Sequence, residues 1–65
     1  MTIELGFQYK NLSAFGTIWT VRRIITGIGM VPHAVLTQND DASSVRTISF
    51  SALQDKHRFI RVVSS

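Results

Sequence analysis

The side chains able to do chemistry in this chain are few. There are two histidines, His33 and His57, four carboxylates, Glu4, Asp40, Asp41 and Asp55, and no cysteine. With no cysteine, disulfides and thiolate-ligated metals are excluded. No histidine–carboxylate pair has ligand spacing on one element, so neither a metal site nor any other cofactor is expected. Asn39-Asp40-Asp41 lacks the ligand alternation and closing glutamate of a calcium loop and reads as a turn. Ser51, Asp55 and His57 could be drawn as a nucleophilic triad, but such a site also needs an oxyanion pocket and a substrate cleft. Gly27-Ile28-Gly29 is a fragment of a dinucleotide fingerprint with no helix signal after it, and reads as a loop. The chain is therefore expected not to be an enzyme, unless copies share an active site.

The cations are the more promising set. Lys10, Arg22, Arg23, Arg46, Lys56, Arg58 and Arg61 give a net charge of +3, which suits a polyanionic partner. Five of them, Arg22, Arg23, Arg46, Arg58 and Arg61, are candidate contacts for nucleic acid or another partner. Arginines beside exposed aromatics grip single strands by charge and stacking. If strands carry Arg22, Arg46 and Arg61 outward, they make one basic face. Arg46 shares parity with Ile48 and Phe50, however, which places it towards the rim.

These residues need a scaffold, and 65 residues allow one domain, 1–65, with a small core. With 45% apolar and 17% charged residues, the composition is that of a folded domain rather than a disordered chain. The longest apolar region, 18–35, is interrupted by Arg22, Arg23 and His33, whereas a membrane span needs about 20 apolar residues. The first residues lack a basic start and an apolar run, so no signal peptide, no membrane partner and a cytoplasmic location are expected.

The organising stretch is 15–26, which holds the single tryptophan among β-branched residues that favour an extended backbone. Trp19 and Val21 point inward from a strand over 17–23. Before it, Ile3, Leu5, Phe7 and Tyr9 alternate with polar or small residues, the pattern of a half-buried strand. Residues 11–14 read as a loop with Leu12 tucked beneath it. After Pro32, a third strand spans 33–37, a polar hairpin loop 38–44, and a fourth strand 45–51 with Ile48 and Phe50 inward. Ser51 and Gln54 match a capping box and predict one helical turn that buries Leu53. The last strand spans 58–63, with Ile60 and Val62 inward.

Five short strands with one helical turn before the last describe an all-β domain. Between 16 and 63 this arrangement resembles the SH3-like small barrels, the group that includes the Tudor-like domains. The resemblance rests on the tryptophan strand, the polar hairpin 38–44, and the turn 51–54 leading into Phe59-Ile60-Arg61-Val62. It implies a small five-stranded antiparallel barrel and a non-catalytic binding module. Such folds host many functions, so the ligand class does not follow from it. The stretch 24–31 interleaves glycines with too many apolar residues for a simple exposed turn, so it either folds back over an open end of the core or meets a partner chain. Ile25, Ile28 and Met30 are the candidates for self-association, and a homo-oligomer is the alternative reading.

Overall fold

A computed structural model describes residues 3–13, 16–27 and 29–63. The order is β1 (Gln8–Asn11), β2 (Ile18–Ile25), β3 (His33–Gln38), β4 (Asp41–Ser49), α1 (Phe50–Leu53) and β5 (Phe59–Val62). All pairings are antiparallel, and the sheet runs β4-β3-β2-β1-β5. The chain is thus an all-β domain with one short helix, as expected, and its sheet is compatible with an SH3-like fold. Strands β4 and β5 are the two ends of this order. Among the described residues, no helix is long and apolar enough to cross a membrane.

The core lies on one face of the sheet. Tyr9 of β1 stands directly opposite Trp19 of β2, and both are buried. Aromatic cross-strand pairs of this kind stabilise a sheet beyond the area they bury. The indole N–H donates to Thr17 Oγ1 at 3.1 Å. Val21, Ala34, Leu36, Leu53, Phe59 and Ile3 complete the buried set, with Phe7, Ile48 and Phe50 packed against it. The inward assignments of Trp19, Val21, Ile48, Phe50 and Leu53 hold.

Four local expectations are corrected. Residues 3–7 are not a strand. Gly6 has φ +87°, and its N–H donates to the Val21 carbonyl at 2.9 Å. This turn throws Leu5 into solvent while Ile3 and Tyr9 stay buried. Leu12 is exposed rather than tucked under its loop. The hairpin loop shrinks to Asn39-Asp40, and β4 already begins at Asp41. In β5 the parity is reversed: Phe59 is buried and Ile60 exposed.

Candidate functional site

The sheet register decides where each arginine goes. Arg23 stands opposite Val35, and Val35 opposite Thr47, on the face away from Leu36 and Ala34. The register slips between Val21 and Arg23, so Arg22 is the extra residue of a bulge. A bulge bends its strand and re-aims a side chain. Here it turns Arg22 to the same outer face, where its Nε–H donates to Thr37 Oγ1 at 3.2 Å. Arg22 and Arg23 are adjacent, exposed and on one side of the sheet.

Arg46 and Arg61 lie on the opposite side. Arg46 faces Leu36 across β3–β4, and its guanidinium sits 5.8 Å from the Trp19 ring centre. Arg61 faces Tyr9 across β1–β5 and lies 3.6 Å from the Phe7 ring centre. Cation–π contact of this sort holds a guanidinium over an apolar rim without consuming its charge. Arg58 follows α1 and lies 3.8 Å from Asp55, an exposed pair of small energetic value. The five arginines therefore divide between two faces and a loop. Arg22, Arg46 and Arg61 do not make one outward face. No ion pair to Arg22, Arg23, Arg46 or Arg61 occurs among the described residues.

The other chemistry-bearing groups are engaged locally. Asp55 Oδ1 accepts from the His57 backbone N–H at 3.0 Å, not from its ring, and Ser51 Oγ lies 3.3 Å from Ser49 Oγ. Ser51, Asp55 and His57 thus make no relay. His33 Nδ1–H donates to the Val31 carbonyl at 2.7 Å. Among the described residues, no three histidines and carboxylates gather into a metal-binding group. Asp41 accepts from Ser43 Oγ at 2.5 Å, from Ser44 Oγ at 3.0 Å and from the Ser43 N–H at 3.1 Å. These bonds, the Ser43 hydroxyl foremost, hold its carboxyl below the usual range. Burial pushes the Tyr9 phenol above its ordinary value, and Arg61 partly opposes this.

The proposed self-association residues lie at the far end of β2. Ile25 is 38% exposed and Met30 59% exposed; Ile24 and Val31 beside them are exposed too, while Ile28 falls outside the described residues. Two hollows were not anticipated from the sequence. One is lined by Gly6, Phe7, Gln8, Arg61 and Val62; the other, largely apolar and about 450 Å³, lies between α1 and β5. Neither has a sequence signal, because each depends on the parity of β5. Compared with family models, curated proteins and solved structures, the chain has no match.

Proposed function

We propose that this chain is a non-catalytic SH3-like binding module that contacts nucleic acid through its exposed arginines. One observation carries the reading: Arg22 and Arg23 sit side by side on the outer sheet face with no ion pair to a carboxylate among the described residues. Unneutralised guanidiniums release counterions when they meet phosphates, which is the main source of sequence-independent affinity. Thr37 and Thr47 on the same face add hydroxyls that can bond phosphate or sugar oxygens. Their chains are short, so they position rather than attract.

The test is a fluorescence-anisotropy titration of a labelled single-stranded oligonucleotide at low salt. Replacing both Arg22→Gln and Arg23→Gln is expected to weaken binding by about tenfold or more, since each lost phosphate contact removes part of the electrostatic attraction. Unchanged affinity in that variant would remove this face from consideration.

A second reading is favoured by the exposed apolar residues Ile24, Ile25, Met30 and Val31 around the end of β2. Several large exposed apolar residues near one end of a small domain suit an interaction surface. In this reading two copies meet there, and a 7.3 kDa particle at high concentration would dismiss it.

A further inference from the structure

Strand β5 ends the sheet order and pairs only with β1 among the described residues. Its hydrogen-bonding phase can be read from one contact. The Leu12 N–H donates to the Arg58 carbonyl at 2.9 Å. In an antiparallel ladder, inward-bonding residues recur every second position. Ile60 and Val62 therefore turn their backbone groups to β1, and Arg61 turns its N–H and carbonyl to the open side. An edge with unused donors and acceptors is a template for another strand.

The apolar hollow lies beside this edge. Tyr9, Leu53, Phe59 and Ile60 supply its walls, and Lys56 and Arg61 its cations. Among the described residues, no carboxylate lines it. The nearest one in sequence, Asp55, is bonded to the His57 N–H and paired with Arg58. Backbone donors at the edge, apolar walls below and positive charge at the rim match one kind of occupant. We propose that β5 takes up an extended segment of a partner protein whose hollow-facing side chains, every second residue, are apolar at the centre and acidic at the flanks. Main-chain bonds to the edge give affinity, and alternate side chains entering the hollow give specificity. The acidic side chains face Lys56 and Arg61, which orients the strand. This site is separate from the Arg22–Arg23 face and does not depend on the nucleic-acid reading.

The probe is the synthetic heptapeptide Glu-Thr-Val-Thr-Val-Thr-Glu, whose valines and glutamates share one face, added to the isotope-labelled full chain and followed by NMR amide exchange. Binding is expected to slow exchange of the Arg61 amide. A version of the peptide with a central proline, which lacks one N–H, should lose that protection. Ile60→Glu, at an exposed position, should weaken the peptide by about tenfold through like-charge repulsion and loss of an apolar wall. Circular dichroism of this variant verifies its fold. Lys56→Glu gives a second reading of the charge contribution and is expected to act in the same direction. The proposal is overturned if the peptide does not bind, or binds without protecting Arg61. It is overturned equally if the proline peptide or both variants bind as well as their parents. Protection of the Arg61 amide by an oligonucleotide but not by the peptide would make the edge a nucleic-acid surface. Protection that grows with protein concentration alone, together with a doubled mass, would make the occupant a second copy. Loss of oligonucleotide binding in the Arg22→Gln, Arg23→Gln chain leaves this result untouched, so the two proposals fail separately.

Discussion

Ser49, not Ser51, begins the helical turn. Its hydroxyl accepts from the Ala52 N–H at 3.3 Å, with Ser49 itself in an extended conformation. Ser51 was the expected cap, and the pairing of β4 moves it two residues earlier. Strand β4 pairs with β3 as far as Ser49, opposite His33, and the Phe50 N–H then donates to the Pro32 carbonyl. Pairing fixes where the strand stops, so it fixes the cap. Ser49→Ala is expected to cost about 1 kcal/mol, while Ser51→Ala stays near neutral, as measured by urea denaturation. Tyr9 gives a pH-dependent counterpart. Its phenol titrates higher in the fold than in the unfolded chain, mainly through burial. The folded state therefore holds the proton more firmly. That contribution is complete below the ordinary phenol value of about 10 and is lost as pH rises through the raised one. Melting temperature should fall on this alkaline side, and Tyr9→Phe should flatten the fall. A variant profile identical to the parent's would show that Tyr9 titrates as an ordinary phenol.

At the scale of elements, the sequence pattern was most faithful where a strand runs uninterrupted. Trp19 and Val21 alternate inward as expected because β2 is regular up to its bulge. The apolar alternation from Ile3 to Tyr9 misled because period two survives a turn. Gly6, at φ +87°, reverses the chain and discards Leu5, yet leaves the spacing intact. A glycine in a strand-like run carries either meaning, and only its partner Val21 distinguishes them. Gly6→Ala should destabilise the fold by roughly 1–2 kcal/mol by chemical denaturation. That cost is conformational, because a Cβ there would meet no atom within 4 Å. The turn-forming residues of 38–44 misled in the other direction. Asp41 does bond its neighbours Ser43 and Ser44, as turn formers do, but within an edge strand whose backbone still pairs with β3. The reversed parity of β5 had the largest consequence for function. Phe59 fills the core beside Leu53, and its burial places Arg61 opposite Tyr9 and opens the apolar hollow beside them. Phe59 and Ile60 are both apolar, so alternation alone offered no way to choose.

At the scale of the whole molecule, the arginines were legible as residues but not as a surface. Which face each occupies depends on a bulge and on strand parity, and both are products of pairing rather than composition. The bulge at Arg22 joins two cations on one side; the cross-strand partners of Arg46 and Arg61 send those two to the other. Seven cations against four carboxylates leave a net charge of +3, and one ion pair among the described residues neutralises little of it. A small domain with this surplus should respond to ionic strength when it meets a polyanion. The most direct measurement is the affinity for a single-stranded oligonucleotide across a salt series. Two engaged phosphates predict a slope of log affinity against log salt of about −1.4, and each further phosphate adds about −0.7. An affinity insensitive to salt, or none measurable at the lowest salt, would contradict the nucleic-acid reading.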